Sequence, residues 1–449
     1  MARVTHGLSP EARVAPRANI RRDTDTQRRH IPWAQSIAHA LTRFTTLEDE
    51  AQARAQLDSR LGPLREALLA SPYYSRRLRE AGLHPGDLQS LEDLRHFPAL
   101  ERSVLARHWD QVPAPLSSDD EGVVVRSSGS TGEPVKVVRD RLDCLHMWAV
   151  LRFWLERAGV TPPPRPRVVL LDALPGGLEY SVRLPILHGG ALHRISVLRD
   201  DARERLCRVR PAILFSDPEG LRWLAEQREV PPPALVLTSA QHLPDDTRAA
   251  LARKLPVPLL NYYATTETGP LAWECLQSPG RFHVLAPDVW LEPDMDEVVV
   301  TRLRPSVLPL LRYLPGDRGR TCREVCTCGF HGWTLGQFSG RGACHYTLPS
   351  GRTVDAWALA WVFKHHALRA FRLTQVEPSR FELELAGAVD TDVAPLCERL
   401  TSALRNLGWS KPPQLLVRAV SEASLSSGSK PLPFRNHVAA TTSPRSRTG

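Results

Sequence analysis

Residues 123–138 read VVVRSSGSTGEPVKVV, and the rest of the chain is organised around them. A short β-branched run ends at Arg126. Ser127, Ser128, Gly129, Ser130, Thr131 and Gly132 follow, and Lys136 stands four residues further on. Glycines allow positive φ and close approach of the backbone to a ligand. Hydroxyls and successive backbone N–H groups can surround a polyanion as a concave nest. The stretch therefore reads as a phosphate cradle beside a strand. It lacks the GxxxxGK[ST] spacing of the nucleotide-kinase loop, since Lys136 is followed by Val137. A flexible Ser/Gly linker would not be expected to have a strand before it and a lysine after it.

The 449 residues suffice for two or three domains and a sizeable core. Hydrophobic residues make up 42% and charged residues 24%, an ordinary globular profile. No apolar run approaches the ~20 residues that cross a bilayer, so no membrane span is expected. The first residues mix Arg with Asp and show no apolar segment, which argues against a signal peptide. Eight cysteines are too few for a disulfide framework and fit reduced thiols at a cytoplasmic address. Much of the net charge of +9 sits at the ends, with seven Arg against three acids in Met1–Arg29 and three Arg without an acid in Arg435–Gly449. No basic stripe interleaved with aromatics is present, so no nucleic-acid partner is expected. A basic scaffold protein is the competing class.

Residues 1–30 are polar and aperiodic and are expected to form a disordered basic arm, as are 439–449 at the other end. Residues 31–339 read as a large α/β domain. It opens with helices: Leu57, Leu61, Leu64 and Leu68 recur at helical spacing in Ala51–Leu69, and Ser71-Pro72 starts a further helix. A helix at Arg141–Glu156 follows the cradle. Apolar runs at Arg167–Leu171, Ala212–Phe215, Ala234–Thr238 and Pro258–Tyr262 then alternate with helical stretches at Arg199–Val209, Pro218–Glu226 and Asp245–Lys254. Such alternation implies βαβ units and a mainly parallel sheet. After Glu274 the texture becomes β-rich. Residues 340–438 read as a small, mobile C-terminal α/β domain, with a helix at Asp355–His366, strand Arg380–Leu385, helix Val393–Leu407 and strand Gln414–Ala419.

At Asn261–Gly269, NYYATTETG, an aromatic pair, two threonines and Glu267 close a strand. Tyr262 or Tyr263 could stack on a base, Thr266 could contact a phosphate, and Glu267 could hold Mg²⁺, a hard cation that prefers oxygen. Together with SSGSTGEPVK about 130 residues earlier, this stretch resembles the adenylate-forming superfamily of acyl-CoA synthetases, luciferase and peptide-synthetase adenylation domains. Thr301 in VVVTRL, Arg312–Asp317 in RYLPGD, Gly340-Arg341 in SGRG and Lys430 in SSGSKPLPF follow in the family's order. The helical SPYYSRRLREAGLHPGDLQSLEDLRHFPAL, RPAILFSDPEGLRWLAE and LPLLRYLPGD resemble the phenylacetate–CoA ligase-like, or CapK-like, branch. The resemblance runs from about Ser71 to Val438.

That resemblance implies an AMP-forming carboxylate ligase using ATP, Mg²⁺ and CoA. A carboxylate attacks the α-phosphate of ATP, pyrophosphate leaves, and the acyl group passes from AMP to CoA; a carrier protein or an amine is the alternative acceptor. Chemistry of this kind depends on positioning and charge neutralisation. By resemblance, Ser127–Gly132 with Lys136 would handle the β- and γ-phosphates and Thr266 the α-phosphate. Glu267 would ligate Mg²⁺, Tyr263 would face adenine, and Asp317, beside Arg341, would accept from the ribose. Lys430 would stabilise charge during adenylation. The chain departs from the family pattern at Ala264, Gln241, Ala343, Cys344 and the extra residue in SSGSK, none of which removes a reactive group; an inactive homologue is the further alternative. Tyr180 and Ala240 are candidate walls of an acyl pocket, and core packing would explain them equally well.

A second site is suggested by the cysteines. Cys326-x-Cys328 next to Gly329 forms a knuckle presenting two sulfurs, while Cys275 and His283 lie in ECLQSPGRFH. Three sulfurs and an imidazole make the closed tetrahedron of structural Zn²⁺. Cys322 competes for one ligand position, and zinc-bearing members of the phenylacetate ligase branch are similar in carrying an EC…H and a CxCG element.

Overall fold

The computed structural model describes residues 24–116, 122–126, 135–172, 181–184, 190–197, 199–240, 243–340, 344–363, 370–386, 393–425 and 433–438. Its largest element is a ten-stranded sheet. Strands Gly190–Ser196, Arg167–Asp172, Ile213–Ser216, Leu235–Thr238 and Leu259–Thr265 lie side by side and parallel. Ser181–Leu184 closes that edge antiparallel to Gly190–Ser196. Beyond Leu259–Thr265 the sheet continues with antiparallel strands Gly269–Glu274, Phe282–Val284, Trp333–Gly340 and Arg318–Arg323. The α/β class expected from the apolar runs is what the chain adopts. The β-rich segment, however, is in part the same sheet continued rather than a separate layer.

The parallel strands read as continuous apolar runs because both of their faces are covered. Val168, Ile213, Phe215, Leu235 and Leu237 point into one core. Their neighbours Val169, Leu171, Leu214 and Val236 point into another, beneath helices Ala202–Val209, Pro218–Glu226 and Asp245–Lys254. This is the period-two alternation of a strand. On the first face lies helix Arg141–Arg157, which buries Phe153 and Trp154 against Trp273 and Tyr262. Each fully buried side chain of this size contributes about 1.5–3 kcal/mol relative to exposure.

Three local expectations change. The Leu57–Leu68 run is two helices, Glu50–Asp58 and Leu61–Ala70, because Ser59 and Arg60 cap and break it; all four leucines are nevertheless buried. A helix over Thr24–Phe44 begins inside the stretch expected to be an irregular arm, and Ala34, Ala38 and Leu41 supply its buried stripe. The helix expected at Asp355–His366 is a 3₁₀ turn, Ala356–Leu359, and one α-turn, Ala360–Phe363; 364–369 lie outside the described residues.

A four-stranded sheet carries Leu100–Glu101, Tyr313–Leu314, Val300–Arg302 and Val289–Leu291. Towards the C-terminus a further sheet runs in the order Gln414–Ala419, Arg380–Ala386, Ala370–Glu377, Phe434–Asn436. It packs helix Ala394–Leu407 over its own core, which includes Phe381, Leu383, Leu400, Trp409 and Phe434. Among the described residues, no helix is long and apolar enough to cross a membrane.

Candidate active site and metal centre

The stretch TTETG is the tip of a hairpin joining Leu259–Thr265 to Gly269–Glu274. Thr265 pairs with Gly269, whose φ of +73° is the left-handed conformation that closes a three-residue loop. The Thr265 hydroxyl accepts from the Thr268 N–H at 3.1 Å and pins the turn from inside. Thr266 and Glu267 are thereby presented just beyond the carboxyl end of a central parallel strand. Ala240 lies past the end of neighbouring Leu235–Thr238, with φ of +80°. Ligands of open α/β sheets bind outside the carboxyl ends of the strands, and strained backbone gathers at such sites.

Strand alternation separates the two tyrosines. Tyr262 turns into the core against Trp154, 4.7 Å between ring centroids, and burial pushes its hydroxyl up to about 12. Tyr263 turns to the other face, where its ring meets Phe338 at 4.4 Å and its hydroxyl donates to Asp317 at 2.7 Å. Two residues singled out from distant motifs thus meet through one hydrogen bond.

Glu267 is buried, and Arg102 stands against it, Nε to carboxylate oxygen 3.1 Å. A buried carboxylate requires such a counter-charge. Arg139 donates to the carbonyl of Thr266 at 2.7 Å, and Arg302 to the carbonyl of Glu267 at 2.5 Å. Arg302 and Arg304 both converge on Asp143 of helix Arg141–Arg157, which also accepts from Ser306 at 2.7 Å. Burial would push the Asp143 carboxyl up, but Arg304 and Arg302 reverse this and hold it well below the usual carboxylate range. Burial and neighbouring Arg304 bring Arg302 down to about 9, against the pull of Asp143.

Lys136 lies on strand Lys136–Arg139, with its ammonium 4.8 Å from the ring centre of Trp109. Val123–Arg126 pairs with that strand as a hairpin. Ser127, Ser128, Gly129, Ser130, Thr131 and Gly132 lie outside the described residues, as do Tyr180, Gln241, Arg341 and Lys430. Sequence reasoning missed Arg102, Arg139, Arg302, Arg304 and Asp143. Lys and Arg together number 58, and nothing local marks which of them will be buried.

The second site gathers as the cysteine pattern suggested. One ligand atom each from Cys275, His283, Cys326 and Cys328 lies within 4.8 Å of all the others. Cys275 follows strand Gly269–Glu274, and His283 sits opposite Trp273 on the next strand. Cys326 and Cys328 come from a tight turn in which Gly329, at φ +80°, donates its N–H back to the Cys326 carbonyl. Sγ of Cys326 is 3.7 Å from Sγ of Cys275, and Sγ of Cys328 is 3.7 Å from Nε2 of His283. Bonds of about 2.3 Å to sulfur and 2.0–2.1 Å to nitrogen give tetrahedral edges close to these lengths. Burial, aided by Arg157 and Arg281, brings the imidazole down to about 3, which keeps it neutral as a ligand must be. Burial pushes the Cys326 thiol up, but hydrogen bonding with the Cys328 backbone and with Cys275, Cys328 and Ser278 brings it down to about 7, while burial and the neighbouring sulfurs push Cys328 up to about 12. The donor set therefore fits Zn²⁺. Cys322 falls outside it, with its sulfur 3.5 Å from the Thr334 hydroxyl.

No family model matches the chain. It is 29% identical over 304 residues to phenylacetate–coenzyme A ligase of Thermus thermophilus, covering 60% of this chain and 66% of that protein. It is 26% identical over 314 residues to the enzyme of the same name from Pseudomonas putida, covering 62% and 69%. Over this region the chain is similar to phenylacetate–coenzyme A ligases. The matched region spans about two thirds of the length of these relatives. The fold agrees: 2-hydroxyisobutyryl-CoA ligase, solved with 2-HIB-AMP and CoA in its thioesterification state, superimposes with a TM-score of 0.58 at 17% identity, covering 88% of this chain and 91% of its own. The turn at Thr266 and Glu267, with Tyr263 and Asp317, is the candidate active site, and the Cys₃His cluster is a separate candidate metal centre.

Proposed function

We propose that this chain activates a carboxylic acid with Mg·ATP, releasing pyrophosphate and forming an acyl-adenylate, and passes the acyl group to CoA in the cytoplasm. The observation that carries this reading is the assembly of Thr266, Glu267, Tyr263 and Asp317 at the carboxyl end of the central strand, in a chain whose curated relatives are phenylacetate–coenzyme A ligases. ATP supplies the electrophilic phosphorus and the leaving group. Glu267 would hold Mg²⁺, Thr266 would meet the α-phosphate, Tyr263 would face adenine and Asp317 would take the ribose hydroxyls. The Ser127–Gly132 cradle with Lys136 would receive the β- and γ-phosphates. Arg341 would stand beside the ribose, and Lys430, on a small domain of residues 340–438 that moves against residues 31–339, would stabilise charge in adenylation. Zn²⁺ at Cys275, His283, Cys326 and Cys328 would be structural.

The test is ATP–pyrophosphate exchange over a panel of aryl and aliphatic carboxylates headed by phenylacetate, followed by addition of CoA. Acid-dependent exchange and a CoA thioester product are expected. Exchange without thioester would move the acceptor to a carrier protein or an amine, and no exchange with any acid would overturn the reading.

A further inference from the structure

The turn at Thr266 and Glu267 is held by two arginines that the sequence does not single out for this role. Arg139 ends strand Lys136–Arg139, which pairs antiparallel with Val123–Arg126, and its guanidinium donates to the Thr266 carbonyl at 2.7 Å. Arg302 comes from a different sheet, in strand Val300–Arg302. One end of its guanidinium donates to the Glu267 carbonyl at 2.5 Å, and the other to Ser306 at 2.6 Å and the Leu308 carbonyl at 3.1 Å. Its charge is balanced by Asp143, 3.6 Å away. The planar, multi-donor fork is what lets one side chain tie several elements at fixed angles. Two consecutive carbonyls of the turn are therefore fastened, one to strand Lys136–Arg139 and the other to the Val300–Arg302 sheet. Fastening the carbonyls fixes the peptide planes, which in turn fixes where the Thr266 and Glu267 side chains start.

We infer that Arg139 and Arg302 are positioning residues, which hold the Thr266–Glu267 backbone in the conformation that lets these two side chains engage a nucleoside triphosphate. This rests on the proposed function for the identity of the ligand, while the fastening itself rests on the geometry alone. Neither arginine is assigned contact with substrate. The signature of such a role is a loss in nucleotide use that spares the acid, whereas a general structural defect depresses every parameter together.

The experiment uses the full chain and three variants, Arg139→Gln, Arg139→Lys and Arg302→Lys. Each is measured for KM of Mg·ATP and of the acid in pyrophosphate exchange, for Mg·ATP binding by calorimetry, for hydrogen exchange at the Thr266–Gly269 amides, and for melting temperature. A charge-assisted hydrogen bond to a carbonyl supports about a tenfold effect. Arg139→Gln should raise the ATP KM and weaken Mg·ATP binding by about tenfold or more, leave the acid KM within about twofold, and speed exchange at the turn. Arg139→Lys should recover part of this, because an ammonium can still reach one carbonyl. Arg302→Lys keeps the charge facing Asp143 and should fold, yet show the same ATP-selective loss; it carries the test if Arg139→Gln does not fold. Unchanged ATP KM and exchange rates in the folded variants would overturn the inference. So would equal losses for ATP and acid accompanied by a fall in melting temperature. Failure of the unaltered chain to bind Mg·ATP would overturn the proposed function and the nucleotide role together, which distinguishes it from a failure confined to the variants.

Discussion

Asp143 shows how far a single side chain's environment can depart from what its neighbours in sequence suggest. In LDCLH it is one acid on a helix; in the fold it is buried between Arg302 and Arg304, with a hydroxyl from Ser306 on its other oxygen. Its folded pKa is depressed, so the stabilisation it gives is present above the unfolded value of about 3.9 and is lost as pH falls towards the folded one. At pH 7, Asp143→Asn should cost about 3–5 kcal/mol, because two guanidinium groups lose their buried counter-charge. Below about pH 4 the melting temperature of the unaltered chain should fall faster than that of the variant, and the gap should narrow progressively with further acidification. A gap that stays constant with pH would rule out this account. The sequence shows Asp140, Asp143 and His146 on one helical face, but that face looks no different from a solvated one. Only long-range packing against the Asp288 loop and the Val300–Arg302 strand buries it.

Short elements divide according to whether their chemistry is local. The Cys326–Gly329 knuckle is legible because a turn of four residues sets its own geometry, and Gly329 has the positive φ the turn needs. The choice between Cys322 and its rivals is not legible, since it depends on register. Cys322 lies opposite Thr334 in the strand pair Arg318–Arg323 and Trp333–Gly340, and pairing there keeps its sulfur by the Thr334 hydroxyl. The same holds for Tyr262 and Tyr263, which strand alternation turns towards Trp154 and towards Phe338 and Asp317 respectively. The knuckle carries a prediction. Protein purified without chelator should contain about one Zn per chain, and stripping the metal should lower the melting temperature, because metal binding is coupled to folding. Cys328→Ser should lower it more than Cys397→Ser. Metal-free protein with full stability would sink the zinc assignment.

Among the described residues the chain builds three cores. Two lie on opposite faces of the ten-stranded sheet and the third belongs to the C-terminal sheet. The parallel half of the large sheet could be read from its apolar runs, and helices Pro218–Glu226 and Asp245–Lys254 fall where the pattern puts them. Continuation of the same sheet through antiparallel strands could not, because the TTETG turn gives no sign of whether its strands stay in one layer. A core of its own is what the unit around the C-terminal sheet would need to change its orientation without unfolding. If Lys430 belongs to a domain that visits the active site only for the first half-reaction, the two half-reactions should separate on mutation. Strand Phe434–Asn436, which follows Lys430 in sequence, pairs parallel with Ala370–Glu377 of the C-terminal sheet. Lysine is a compact cation on a flexible stem, suited to an oxyanion that exists only during adenylation. Lys430→Ala should lower acyl-adenylate formation by about 10²–10³-fold, the usual effect of removing one electrostatic stabiliser. Transfer to CoA from acyl-adenylate made beforehand should stay within about twofold. Equal loss in both steps would mean that the lysine supports the fold rather than the chemistry. Full activity in both would return it to the solvent-exposed residues, and the extra position between Gly428 and Lys430 would then be the reason the motif misleads.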